Sequence, residues 1–224
     1  MYVTISDQKS EYDLPHPLTE RTSCLPETRL KPEAHLFREG DHVERIYQVV
    51  SGAVSLTRLL EDGRRQIIAF GFPGDIIGFP CDGRYHTDCV ALNHAKLQPY
   101  RLSQLESGRL NSKLGAGLLQ AALHEIAAMQ DHFMMLGRKS ATEKVAAFLT
   151  VLKRRTGTNA GQYTQIDLPM SRADIADFLG LTTETVSRTI SQFRKSRLIA
   201  LDGAQTVLIL REDALKALAE EGTA

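Results

Sequence analysis

Short apolar runs alternate with polar positions and single glycines between about residues 32 and 100, a pattern typical of β-strands separated by turns. Two of these runs, residues 54–60 and 64–70, flank Glu61-Asp62-Gly63, which predicts a hairpin around a glycine-bearing turn. Many short strands at such even spacing predict a closed β-roll or jelly roll. Turn signals recur every 11 or 12 residues beside glycines that permit positive φ, namely Gly40, Gly52, Gly63 and Gly74.

The pattern becomes helical in the middle of the chain. Apolar residues there follow one another at intervals of three and four positions, which is the seam of a heptad repeat. The seam consists of Leu119, Ala122, Ile126, Met129, Phe133 and Leu136. Two interpretations fit these residues equally: a helix packed on its own roll, or a helix whose seam meets its copy in a homodimer. His124 and His132 belong to the same helix, and we expect them at the dimer edge or on the surface.

The C-terminal region predicts further helices and a final hairpin. Ser140 and Glu143 form a capping-box pattern that begins an amphipathic helix. A short strand is expected near residues 165–168. After the last long amphipathic segment, the sequence around Asp202-Gly203 predicts a hairpin, which would form the wing of a winged helix-turn-helix. The chain as a whole is therefore expected to be an α+β protein.

The stretch MSRADIADFLGLTTETVSRTI has the spacing of a helix-turn-helix. Ser171 is suited to cap the first helix, Gly180 to end it, and Thr182 to cap the second. Ala176 is small enough to let the two helices cross closely, and Val186 follows the glycine by six positions. In such a motif the N-terminal residues of the second helix meet base edges in the major groove of DNA.

The second helix carries polar side chains that suit base recognition. Arg188 can donate two hydrogen bonds to guanine, Glu184 can accept from cytosine, and Ser187 can serve several bases. We therefore predict base contacts from Thr183, Glu184, Ser187 and Arg188. The other interpretation of Glu184 and Arg188 is an ordinary surface ion pair, because they lie four residues apart on one helix. Phosphate contacts, which position but do not specify, are predicted from Ser171, Arg172, Thr182, Thr185 and Arg194.

The charge distribution agrees with a nucleic-acid partner for the C-terminal region. The 224-residue chain has no net charge, yet residues 1–137 carry 14 Lys/Arg against 17 Asp/Glu, whereas residues 138–211 carry 12 against 6. A composition of 42% hydrophobic and 24% charged residues is typical of a soluble globular protein. With no apolar run of membrane-spanning length and no secretory signal, we expect no membrane contact and a cytoplasmic location.

These patterns divide the chain into four segments and indicate no catalytic or disulfide motif. We expect a polar lead-in at 1–27, a β-roll at 28–106, a long helix at 107–137, which the family resemblance described next implies to be a dimerisation helix, and a winged helix-turn-helix at 138–224. The three cysteines, Cys24, Cys81 and Cys89, are irregularly spaced and predict no disulfide framework. No phosphate loop, carboxylate pair or catalytic triad stands out, so catalysis is not expected.

The residues LFREGD, IYQVVSGAVSL and DGRRQIIAFGFPGDIIG resemble the effector domain of the CRP/FNR family, a cyclic-nucleotide-binding β-roll. The resemblance covers about residues 30–222. It implies a homodimer along the long helix, and contact of an activator with RNA polymerase through exposed loops, of which residues 61–65 are one candidate. The recognition-helix pattern formed by Glu184, Ser187 and Arg188 resembles FNR and FixK proteins. It implies a TTGAT-N4-ATCAA-like palindrome and a role in low-oxygen or nitrogen-fixation circuits.

The family resemblance also offers three ligands, none of which the sequence supports. Cyclic-nucleotide binding in the family needs Glu and Arg where this chain has Gly78-Phe79 and His86-Thr87. An iron–sulfur cluster needs four cysteines, but only Cys24 is N-terminal and Gln98 stands at the roll position. Haem iron could be ligated by Cys81, His86 or Cys89, which lie close together in the sequence. We expect no cofactor, and a haem-, thiol- or ligand-gated regulator of another stress circuit is the alternative.

Overall fold

The computed structural model describes residues 25–103, 112–203 and 205–220, except for the side chains of residues 112–118, 120–121 and 124–125. The predicted lead-in lies mostly outside these residues. The described chain divides into two compact units, residues 25–128 and residues 129–220.

The first unit is a β-roll of two four-stranded sheets, as the strand spacing predicts. One sheet has the strand order β1-β8-β3-β6 and the other β2-β7-β4-β5, with every neighbouring pair antiparallel. The strands are β1 Thr28–Leu30, β2 His35–Phe37, β3 Arg45–Ser51, β4 Val54–Leu59, β5 Arg65–Gly71, β6 Ile76–Ile77, β7 Asp88–Ala91 and β8 Ala95–Arg101.

The core of the roll is a cluster of buried side chains from both sheets. It includes Val54, Leu56, Ala69, Ile77 and Leu97. The predicted hairpin is confirmed as β4 and β5, with a bulge after the Leu56–Ala69 pair.

Two glycines show why turns of the roll need this residue. Gly63 has φ +81° in the hairpin turn, and a Cβ added to it would have no other atom within 4 Å. Gly52 also has φ +81°, but a Cβ there would collide with the backbone of His94 and Ala95. Gly52 is therefore required by both its backbone conformation and its packing.

The predicted long helix is α1, Ser112–Arg138, whose 27 residues extend for about 40 Å. Residues on its last turns, including Met135, are buried in the second unit. His132 is also buried, so the expectation that it lies at the surface or dimer edge is wrong. Its ring stacks on Phe178 with the ring centroids 4.4 Å apart, and its Nδ1 has no hydrogen-bond partner. His124 lies outside the described side chains.

The rest of the second unit consists of four helices and a small antiparallel sheet. The helices are α2 Ala141–Thr156, α3 Arg172–Leu179, α4 Thr183–Lys195 and α5 Glu212–Glu220. The strands are β9 Thr158–Ala160, β10 Tyr163–Asp167, β11 Ile199–Asp202 and β12 Thr206–Ile209, in the order β11-β12-β10-β9. The predicted capping box of α2 is confirmed: Glu143 N–H donates to the Ser140 hydroxyl, and the Glu143 carboxylate accepts from Ser140 N–H.

Candidate nucleic-acid interface

The turn between α3 and α4 has the geometry of a helix-turn-helix. Ser171 caps α3 in a reciprocal box with Asp174, and Gly180 ends the helix with φ 62° and ψ 41°. This left-handed conformation favours glycine. A Cβ on Gly180 would also lie 3.4 Å from Leu136 Cδ2, so the turn is packed against the end of α1. The Thr182 side chain then caps α4 by accepting from Thr185 N–H.

Helix α4 divides into a buried face and a solvent face. Val186, Ile190 and Phe193 are buried against the rest of the unit, and these apolar contacts fix the rotation of the helix about its axis. All four predicted base-contacting residues, Thr183, Glu184, Ser187 and Arg188, are exposed. The packing therefore brings these four side chains together on the first two turns of α4.

Glu184 and Arg188 interact with each other on this exposed face. Arg188 Nη2 donates to Glu184 Oε1 over 2.5 Å, and the two side chains keep 78% and 69% of their surface accessible. Such an exposed pair contributes little to stability. Because much of the surface of both side chains remains open to solvent, they are accessible to a partner on this face of α4.

The predicted phosphate-contacting residues differ in exposure. Ser171, Thr182 and Arg194 are exposed, whereas Arg172 and Thr185 are half-buried. Burial lowers the pKa of the Arg172 guanidinium, which therefore stands in a partly desolvated environment. The Thr185 hydroxyl lies 2.8 Å from the Thr182 hydroxyl. The structure thus leaves three of the five side chains freely accessible and holds the other two partly within the unit.

The end of α4 leads directly into the wing. Arg197 adopts φ 54°, and Leu198 N–H donates to Phe193 O over 3.0 Å, which closes the helix. Sequence reasoning missed this left-handed residue because no glycine marks it. The predicted hairpin around Asp202-Gly203 is confirmed as β11 and β12.

The predicted seam of α1 lies largely in solvent. Leu119, Ile126, Met129 and Phe133 have exposed fractions of 60%, 54%, 47% and 76%, whereas Ala122 and Leu136 are half-buried. Leu123 and Met134 are also more than half exposed. Sequence reasoning missed these two because they fall outside the heptad positions of the seam. The described side chains of α1 therefore include a broad stripe of exposed apolar residues.

At the two positions of the roll where the family resemblance implies a Glu and an Arg for cyclic-nucleotide binding, this chain has Phe79 and His86. Phe79, where the family has Glu, packs on a buried cluster that includes Tyr100. His86, where the family has Arg, is exposed, and its Nε2 lies 3.0 Å from Arg58 Nη1. Arg58 in turn pairs with Glu39 at 2.9 Å. Phe79 and His86 therefore do not supply the carboxylate and the guanidinium that the family resemblance implies.

The residues considered for haem or thiol chemistry are not brought together as a ligand set. Cys81 is exposed, Cys89 is buried in the roll, and burial raises the pKa of the Cys89 thiol. Among the described residues no group of three His, Cys, Asp or Glu side chains could hold a metal. Within the same part of the chain, no helix is long and apolar enough to cross a membrane.

A β-roll followed by a long helix and a winged helix-turn-helix with an exposed second helix defines a DNA-binding transcription regulator. Family models agree: residues 27–107 match a cyclic nucleotide-binding domain and residues 143–218 a Crp-like helix-turn-helix domain. The nitrogen fixation regulation protein FixK of Rhizobium meliloti is 40% identical over 84% of this chain and 84% of its own length. The FixK protein of Azorhizobium caulinodans is 40% identical over 83% of this chain and 75% of its own.

A solved structure shows the same relationship. The structure of FixK2 from Bradyrhizobium japonicum matches with a TM-score of 0.80 and 36% identity, over 86% of this chain and 96% of that one. The chain belongs to the CRP/FNR family of transcription regulators, of the FixK and FNR type. Members of this family are regulators and not enzymes.

Proposed function

We propose that this protein binds a TTGAT-N4-ATCAA-like palindrome as a homodimer and activates transcription without a bound ligand. The observation that carries the proposal is the solvent face of α4, where Thr183, Glu184, Ser187 and Arg188 are exposed together. The packing of the Gly180 turn supports it, because this turn fixes where α4 begins. The pattern of Glu184, Ser187 and Arg188 supports the TTGAT-like half-site.

Dimerisation through α1 is supported by the exposed apolar stripe. Side chains such as Phe133, which is 76% exposed, gain free energy when they are removed from water. A twofold dimer would place two copies of α4 on two half-sites of a palindrome. Analytical ultracentrifugation of the wild type and of Ile126→Glu tests this. We expect a dimer mass for the wild type and a monomer mass for the variant; a wild-type mass near the 24.9 kDa of one chain would contradict dimerisation.

Phosphate contacts would come from Ser171, Arg172, Thr182, Thr185 and Arg194. Three of these side chains are exposed, and Ser171 and Thr182 stand at helix N-termini, where the backbone N–H groups also favour anions. The half-buried Arg172 and Thr185 would contribute through whichever polar atoms remain accessible.

The roll would contribute the contact with RNA polymerase. The activity of the ligand-free regulator would be controlled through the amount of this protein in the cell. The hairpin turn at residues 61–65 consists of exposed residues and carries charges of both signs, which suits a protein contact. Because the cyclic-nucleotide position lacks its charged partners, we propose no ligand for the roll. The FixK relatives are named for the regulation of nitrogen fixation. We propose that this protein acts in such a circuit or in the control of microaerobic respiration. Its location would be the cytoplasm, where the DNA is.

The decisive experiment is a footprint of the purified, ligand-free protein on a TTGAT-N4-ATCAA duplex. We expect protection of both half-sites. Arg188→Ala should weaken binding to this duplex by roughly 1–3 kcal/mol, because a bidentate contact to guanine is lost, and should change binding to random DNA little. Equal losses on both duplexes would refute base recognition by Arg188. Protection that appears only after addition of the small-molecule fraction of a cell extract would instead support a ligand-gated regulator.

A further inference from the structure

The tip of the wing carries acidic side chains, although the segment 138–211 around it has a net positive charge. Thr206 of β12 pairs with Asp167 of β10 on one side and with Asp202 of β11 on the other. Both carboxylates are exposed, and we call this pair the acidic wing edge. The two residues are a third of the acidic residues in the segment 138–211, which has 12 Lys/Arg and 6 Asp/Glu.

Hydrogen bonding places the acidic wing edge beside the start of α3. Leu168 N–H donates to Gln205 O over 2.7 Å, which ties the end of β10 to the wing turn. Leu168 precedes the α3 cap, Ser171, by only three residues. Ser171 is the N-cap of α3, and the N-terminal end of a helix is the end that favours a phosphate. A DNA backbone that passes Ser171 would therefore run close to both carboxylates.

Turn formation explains the shape of this edge but not its charge. Asp-Gly is a favoured pair in tight hairpin turns, and Asn-Gly serves equally well. Asp167 Oδ1 accepts hydrogen bonds from Thr206 Oγ1 and Gln165 Nε2, each over 3.2 Å, and the carbonyl of an asparagine could accept them too. The negative charges are thus not needed by the fold of the wing.

We propose that the acidic wing edge repels DNA phosphates and so makes stable binding depend on the base contacts of α4. The repulsion acts on every sequence equally, because phosphates carry no sequence information. Its consequence is weaker retention on random DNA, where no base contacts compensate. The proposal rests on DNA binding through α4 as described above.

The test compares Asp202→Asn with Asp213→Asn on a random duplex and on the palindrome. Asp213 is exposed on α5, the helix that packs on α2, so its variant changes the net charge equally but away from the wing. We expect Asp202→Asn to raise affinity for both duplexes by about two- to threefold per wing at moderate salt, and Asp213→Asn to leave it unchanged. Asp202→Lys should also steepen the salt dependence by about 0.9 in log–log slope per wing.

Three results would overturn the proposal. Equal gains for Asp202→Asn and Asp213→Asn would mean that only net charge matters. If Asp202→Lys changes neither the DNA affinity nor the slope of its salt dependence, the wing lies too far from the phosphates to repel them. If Asp202→Asn lowers the DNA affinity, the Asp202 carboxylate makes a favourable contact. Failure of the wild type to prefer the palindrome would refute base recognition, while the random duplex would still report on the wing.

Discussion

In the roll, Phe79 and His86 stand where the family resemblance implies a Glu and an Arg for cyclic-nucleotide binding, although the strands of both sheets are formed. In the second unit, Glu184 and Arg188 are in place, exposed, on a helix held by an intact capped turn. The framework of each unit depends on buried side chains and turn residues. Ligand or DNA binding depends on a few other side chains, so these can differ while the fold of the unit stays the same.

The largest expected effect comes from the helix-turn-helix glycine. Gly180→Val should lower the free energy of unfolding of the second unit by about 3 kcal/mol, because a β-branched residue is strained at this left-handed φ and would press on Leu136. DNA binding should be lost with it. Urea unfolding followed by circular dichroism and fluorescence anisotropy with labelled DNA measure the two effects.

The matched control is Gly63→Val in the roll hairpin, where φ is also left-handed but the space is empty. This variant should lose about 2 kcal/mol from backbone strain and bind DNA as the wild type does. Loss of DNA binding in Gly63→Val would contradict the separation of the two units' roles.

A smaller effect should follow from the buried histidine of the second unit. Burial, assisted by the nearby Lys144, lowers the pKa of His132 from 6.5 to about 4, so the folded unit keeps the ring neutral. The unfolded chain binds the proton more readily, and stability is therefore fully present above about pH 6.5 and is lost as the pH falls towards about 4. Between pH 7.5 and 5 the loss should be about 2 kcal/mol.

His132→Gln is the control for this titration, because the amide has similar polarity and does not bind a proton in this range. Chemical unfolding at several pH values should show a flatter pH dependence in the variant. An identical slope in both proteins would mean that other groups are responsible for the acid sensitivity.

Local signals explain how much of the second unit could be predicted. The caps Ser140, Ser171 and Thr182 and the glycine at 180 act through their own backbone neighbours, so the sequence is sufficient to locate them. The burial of His132 is different, because it depends on Phe178, which is 46 residues away in the chain. Helical periodicity shows which residues share a face, but it does not show what covers that face.

The same limit applies to the roll and to α1. Glycine spacing and the hairpin pattern predicted the strands, since turns are local. The interaction of His86 with Arg58 joins β4 to the loop before β7, which no local pattern encodes. The exposure of Leu123 and Met134 was missed because a heptad seam describes a narrow contact, whereas the apolar stripe is broader.

A still smaller effect should separate two similar helix caps. Ser171→Ala and Ser140→Ala each remove a capping box and should each lower the free energy of unfolding by about 1 kcal/mol. Only Ser171 lies on the proposed DNA-binding surface, so only its variant should also weaken binding to random DNA at a protein concentration and temperature where both variants remain folded. Equal losses of DNA affinity would mean that the effect of Ser171 is structural.

The smallest effects are expected at the cyclic-nucleotide position of the roll. His86→Arg should change the free energy of unfolding by less than about 0.5 kcal/mol, because the side chain is exposed and its contact with Arg58 is a surface contact. Restoring one cation does not restore the site while Phe79 occupies an apolar cluster instead of offering a carboxylate. Cyclic AMP should therefore leave the melting temperature and the DNA affinity of both proteins unchanged. An increase in DNA affinity of the wild type with cyclic AMP would show that the roll recognises the nucleotide through other residues, and the contrast between the two units would then fail.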